Sequence, residues 1–112
     1  MNQVNKMNNE VKAEFERYVS YISKMDGVLR IYLFGSYANG EPTDYSDIDL
    51  FVVLRDGIDK LKLMQNVSRG LMDRQMALDV LADNDSAFEE LSQPERITLH
   101  REIKENGVLV YG

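Results

Sequence analysis

Asp47 and Asp49 flank one isoleucine and open the run Asp47-Ile48-Asp49-Leu50-Phe51-Val52-Val53. Side chains alternate along a strand, so both carboxylates leave the same face with Cα atoms roughly 6.5 Å apart. At an effective dielectric near 20, two such charges cost each other roughly 2 to 3 kcal/mol. A divalent cation reverses the sign of that term. Two carboxylates on one face, joined by a third from a neighbouring strand, are the oxygen-rich set that Mg²⁺ takes when substrate phosphates complete its octahedron. The candidate third is Asp79, inside the apolar segment Ala77-Leu78-Asp79-Val80-Leu81. A carboxylate there is costly unless it is paired, hydrogen-bonded or bound to metal. If its strand runs parallel to that of Asp49, the two meet; the other reading is an edge-strand aspartate facing water.

The residues upstream supply a partner for a cation-bound anion. Leu33-Phe34-Gly35-Ser36 reads as the end of an apolar strand, where Gly35 permits a turn that a Cβ would obstruct. Ser36 then begins a short helical turn whose free N–H groups and hydroxyl can hold phosphate oxygens. With the two strands antiparallel, the end of the first lies beside the start of the second, and Ser36 meets Asp47 across the ten intervening residues. In that loop Pro42-Thr43-Asp44 is turn chemistry, and Ser46 is placed to hydrogen-bond locally and help orient Asp47. The whole suits a metal-bound nucleoside triphosphate. A P-loop is excluded because Glu41-Pro42 follows Gly40 where Lys and Ser or Thr are required. An EF-hand fails because Phe51-Val52 stands where further oxygen ligands and a glycine belong.

Phe34-Gly35-Ser36, the ten-residue spacer and Asp47-Ile48-Asp49-Leu50 together resemble the minimal nucleotidyltransferases of the DNA polymerase beta superfamily. The resemblance implies the α/β nucleotidyltransferase fold, with a mixed three- to four-stranded sheet and helices packed on one side. It implies that Asp47, Asp49 and Asp79 are the catalytic carboxylates and hold Mg²⁺, two ions in all, while Gly35 and Ser36 bind the phosphates of ATP or another nucleoside triphosphate. The reaction implied is transfer of AMP to a hydroxyl with release of pyrophosphate. Minimal members pair with a small helical protein of the HEPN type, a ribonuclease toxin that they neutralise as antitoxins by adding AMP to it or by binding it. Asn39 stands where many members carry Arg, so a module that neutralises its partner by binding alone is the alternative reading.

The elements that must position these residues are legible in outline. The chain has 112 residues, 44% of them apolar and 29% charged, which fits a single domain over residues 1–112 with one core. The absence of cysteine removes disulfides and thiol chemistry, and a lone histidine argues against a His-rich metal site. A formal net charge of −6 disfavours partners held through nucleic-acid phosphates. No apolar run is long enough for a membrane span and the N-terminus carries no signal-peptide pattern, so a soluble, cytoplasmic protein is expected.

Val4, Met7, Val11, Phe15, Tyr18, Ile22 and Met25 make one helical stripe over residues 2–25, ended by Gly27. Residues 28–34 read as a first strand buried on both faces. Residues 58–74 read as a crossover helix leading to a third strand over 76–81. Asp83-Asn84-Asp85-Ser86 reads as a turn and helix cap. Ser92-Gln93-Pro94-Glu95 has capping-box spacing and predicts a helix from Ser92 to Asn106, with His100 as an ordinary surface or half-buried residue on it. Residues 108–111 form either a short last strand or a tail that orders on a partner.

Overall fold

In the computed structural model, which describes residues 7–43 and 46–112, the central strand is the most apolar one. Strand β2 (Ile48–Leu54) is buried at every position except Asp49, which is half-buried. It pairs antiparallel with β1 (Val28–Phe34) and parallel with β3 (Leu78–Asn84). Strand β4 (Val108–Tyr111) joins the outer side of β1, so the sheet order is β3-β2-β1-β4. The last segment is thus a strand.

Period-two alternation divides β2 between two cores. Ile48, Leu50, Val52 and Leu54 join Ile31 and Leu33 against helix α1 (Asn9–Ser23) and helix α3 (Lys60–Gly70). Helix α1 contributes Val11, Phe15, Tyr18 and Ile22, and α3 contributes Leu63 and Val67. Phe51 and Val53 point the other way, onto Phe88 of α4 (Asp85–Leu91) and Ile103 of α5 (Leu99–Asn106). The helical layer expected on one side therefore describes α1 and α3, while two short helices cover part of the opposite face. That cover is partial, which leaves Tyr32 and Phe34 half-buried, so β1 is closed on the α1 face and not on both.

Several boundaries move from the sequence reading, each for a local reason. The Asn8 side chain caps α1 by accepting from the Val11 N–H at 2.9 Å, so the helix starts at Asn9; Val4 lies outside the described residues. Asp59 caps α3 by accepting from the N–H groups of Leu61 and Lys62, both at 3.1 Å, and the helix closes at Gly70. The pairing with β2 carries β3 on to Asn84, whose amide donates to the carbonyls of Arg55 and Ile58. Ser92 does not open a helix. It closes α4, its N–H donating to the Phe88 carbonyl, and Thr98 caps α5 by accepting from the Arg101 N–H.

One polar network sets the entry to β3. The Glu14 carboxylate accepts from Arg17 at 3.0 Å, from the Gln75 N–H at 2.8 Å and from the Tyr18 hydroxyl at 2.8 Å. The Tyr18 hydroxyl also accepts from the Met76 N–H at 3.1 Å. Helix α1 thereby grips the two residues that lead to Asp79. The Arg17 hydrogen bond does most to hold the Glu14 carboxyl down at about 2, against an opposing push from burial. Among the described residues no helix is long and apolar enough to cross a membrane.

Candidate active site

Strand register brings the predicted carboxylates together. Asp49 is the partner of Phe34 on one side and of Asp79 on the other. Residues paired across a sheet share a face, so Asp49 and Asp79 stand side by side on the face of Phe51 and Val53. The site lies at the end of the sheet where β1 finishes and β2 and β3 begin. Asp47 and Asp79 are exposed, and Asp49 is half-buried between them.

Burial, then the charge of Asp79, then that of Asp47 push the Asp49 carboxyl up to about 6. Each cause disfavours a second or third negative charge in the same place, which is the condition a bound cation relieves. Among the described residues, no three acidic or histidine side chains already converge as a metal cage. The hard carboxylate oxygens of Asp49 and Asp79, paired on one face, with Asp47 near enough for its charge to act on Asp49, nevertheless fit Mg²⁺ better than a softer metal.

Gly35 is required twice over at this site. Its φ of 74° and ψ of −153° lie where side chains are rarely tolerated, and a Cβ there would come within 2.1 Å of Asp49 Oδ2. The Gly35 carbonyl accepts from the N–H groups of Ala38 and Asn39, both at 3.0 Å, and so starts the single turn α2 (Ser36–Asn39). Gly40, at φ 81°, closes it by donating its N–H to the Ser36 carbonyl. Ser36 is fixed at the start of this turn, and its hydroxyl has no hydrogen-bond partner among the described residues.

Ser46 turns back into the loop. Its Oγ accepts from the Thr43 N–H at 2.8 Å and its own N–H donates to the Thr43 carbonyl at 3.1 Å, so it reaches Asp47 through the backbone. The rest of the expected turn, Asp44 and Tyr45, lies outside the described residues.

Two features near the site were not visible as motifs. Asp83, buried on β3 on the same face as Asp79, lies 2.9 Å from His100 Nε2 and accepts from Lys60 at 3.1 Å. Burial pushes the Asp83 carboxyl up, but His100, the Asn84 N–H and Lys60 outweigh it and leave it below its ordinary range. His100 also packs edge-on to Phe51, with ring centroids 5.2 Å apart, so α5 is clasped to the sheet by both a hydrogen bond and a ring contact. The second feature is a cleft of about 240 Å³ beside the end of β1, lined by Gly35 and walled by Phe34, Ala38, Asn39 and, from α5, Leu99, Glu102 and Asn106. Larger hollows, of about 500 and 420 Å³, lie around α3 behind the opposite face, away from the carboxylates.

Residues 16–112 match the family described as Polymerase beta, Nucleotidyltransferase. A protein of Methanocaldococcus jannaschii named as a protein adenylyltransferase is 29% identical over 104 residues, which cover 92% of this chain and 99% of the relative. A crystal structure named as a nucleotidyltransferase from Sulfolobus solfataricus superimposes with a TM-score of 0.59 at 21% identity, over 87% of this chain and 76% of that one. A crystal structure of a toxin–antitoxin with AMP-PNP superimposes with a TM-score of 0.53 at 22% identity, over 94% of this chain and 74% of the other. At these identities the two structures show a shared fold.

Proposed function

This chain belongs to the polymerase beta nucleotidyltransferase family and is a nucleotidyltransferase, and we propose that it transfers AMP from ATP to a hydroxyl of a partner protein, with Mg²⁺. The observation that carries the reading is the juxtaposition of Asp49 and Asp79, with Asp47 two residues away, beside the Gly35 backbone against which the Asp49 carboxylate packs where no other residue would leave it room. Adenylyl transfer to protein is supported by the name of the Methanocaldococcus jannaschii relative, which this chain matches over almost its full length. The net charge of −6 makes nucleic acid a poor acceptor. A protein acceptor is supported by the toxin–antitoxin neighbour with its ATP analogue. By the resemblance set out above, the acceptor is a small helical protein of HEPN type, this chain is its antitoxin, and both work in the cytoplasm.

Asp47, Asp49 and Asp79 would hold Mg²⁺, as two ions. When bound, Mg²⁺ supplies the positive charge that polarises the α-phosphate and stabilises the departing pyrophosphate. Gly35 lets the Asp49 carboxylate stand against the backbone where the phosphate chain would lie, and Ser36 presents its N–H and its uncommitted hydroxyl to phosphate oxygens. By the family resemblance Asp79, exposed on the edge strand β3, also helps activate the incoming hydroxyl. Ser46 closes the loop on Thr43 and so fixes the backbone from which Asp47 projects. The rate gain rests on charge and alignment, and alignment requires the acceptor to dock.

Thermal unfolding with Mg²⁺ and AMP-PNP, singly and together, tests the site. The wild type should be stabilised by the pair well beyond either alone. The variant Asp47→Asn with Asp49→Asn should lose that gain while remaining folded. Equal gains in both proteins would contradict the assignment.

A further inference from the structure

We infer that the cleft between α2 and α5 is the nucleobase subsite and that Asn39 and Glu102 select an adenine there. The inference rests on the transferase reading above and adds to it the residues that recognise the base. Three observations carry it. The first is position: Gly35 itself lines the cleft, which reaches Gly107 on the β4 side of β1 while Asp49 pairs with β1 on the β2 side, so a phosphate chain over Gly35 and Ser36 places the attached nucleoside at the cleft mouth. The second is size. Whole small-molecule sites run from roughly 300 to 1,000 Å³. At about 240 Å³ this cleft accommodates part of a ligand, with the remainder outside it.

The third is the lining. Phe34, Ala38 and Leu99 give apolar walls for a flat ring, and the polar groups at the rim are few and distinct. Glu102 is engaged through one oxygen, Oε2, which accepts from the Asn106 amide at 2.8 Å, leaving Oε1 to accept a further N–H. The Asn39 side chain has no hydrogen-bond partner among the described residues and can donate to a ring nitrogen or accept from an amine. Adenine offers such a set, an exocyclic amine for Glu102 and ring-nitrogen acceptors for the Asn39 amide. Uracil presents a carbonyl where adenine carries its amine, and that oxygen would face the Glu102 carboxylate. The clasp of His100 on Asp83 matters here because it fixes α5, and with it Leu99, Glu102 and Asn106, at the distance a ring requires.

Calorimetry in Mg²⁺ buffer with ATP, UTP and inorganic tripolyphosphate separates base recognition from phosphate binding. The wild type should bind ATP about tenfold more tightly than tripolyphosphate or UTP, the scale of one or two net hydrogen bonds. Asn39→Ala and Glu102→Gln, both at exposed positions, should each bring ATP to within a few-fold of tripolyphosphate, leave tripolyphosphate affinity unchanged and, for Glu102→Gln, narrow the gap between ATP and UTP. Tight ATP binding that neither variant alters, or equal losses for ATP and tripolyphosphate, would overturn the subsite and leave the transferase reading standing. Failure of the wild type to bind either ATP or tripolyphosphate would overturn that reading and the subsite with it.

Discussion

Removing one charge from the carboxylate cluster should stabilise the metal-free protein, by an amount that depends on pH. The perturbation is Asp49→Asn, which keeps the shape of the side chain packed against Gly35 and deletes its charge. Burial and the neighbouring Asp79 and Asp47 raise the Asp49 carboxyl from 3.8 to about 6, so the folded state holds this proton more tightly than the unfolded chain. Stability from this group is therefore fully present below the unfolded value near 3.8 and is lost as pH rises through about 6. At about 1.4 kcal/mol per tenfold shift in proton affinity, the loss by pH 7 approaches about 3 kcal/mol, and screening by solvent at a half-buried group reduces it to about 1 to 2 kcal/mol. The asparagine variant has no such loss. Urea denaturation in EDTA should show its advantage over the wild type growing by about 1 to 2 kcal/mol between pH 4 and pH 7. A difference that is flat across that range, or that grows in favour of the wild type, would refute the claim that the three carboxylates repel one another in the folded chain.

Gly35→Val should destabilise the fold by about 1 to 3 kcal/mol, because φ is positive and the new Cβ meets Asp49. In calorimetry on the folded fraction it should weaken ATP more than AMP; equal losses would mean the backbone at Gly35 takes no part in holding the outer phosphates. Glu14→Gln should cost about 1 to 2 kcal/mol at pH 7 after allowance for solvent, since Arg17 and its other partners hold the carboxyl at about 2. The carboxyl is depressed, so its contribution is present above about 4.5 and lost as pH falls toward 2; denaturation at pH 7 and pH 3 should show the variant's deficit shrinking at the lower pH.

The centre of the site was legible because strand periodicity is a strong constraint. Val28–Phe34 is bounded by its apolar run, and the two-residue spacing puts Asp47 close enough to Asp49 for its charge to raise the Asp49 carboxyl, although β2 begins only at Ile48. Asp79 was harder, since its neighbourhood depended on the crossover through α3 being parallel, which the pairing of Asp49 with Asp79 bears out. The start of α5 was misread because Ser92 and Thr98 are both competent caps, and only packing decides that Ser92 finishes α4. Asp83 and His100 are 17 residues apart on a strand and a helix, so no local spacing announces their contact. The cleft is a product of how α5 sits on the sheet: the resemblance singles out Asn39, but no spacing in the sequence joins it to Glu102 and Asn106.

Intact-protein mass spectrometry of this chain mixed with the protein encoded beside it, in the presence of ATP and Mg²⁺, tests the proposed transfer most directly. The neighbour should gain the mass of one or more AMP groups, and Asp79→Asn should abolish that gain while the two proteins still form a complex, because a site carboxylate stabilises transition-state charge more than it holds an interface. A complex that forms with the wild type and leaves the neighbour's mass unchanged with each of the four ribonucleoside triphosphates would contradict the account and favour neutralisation by binding.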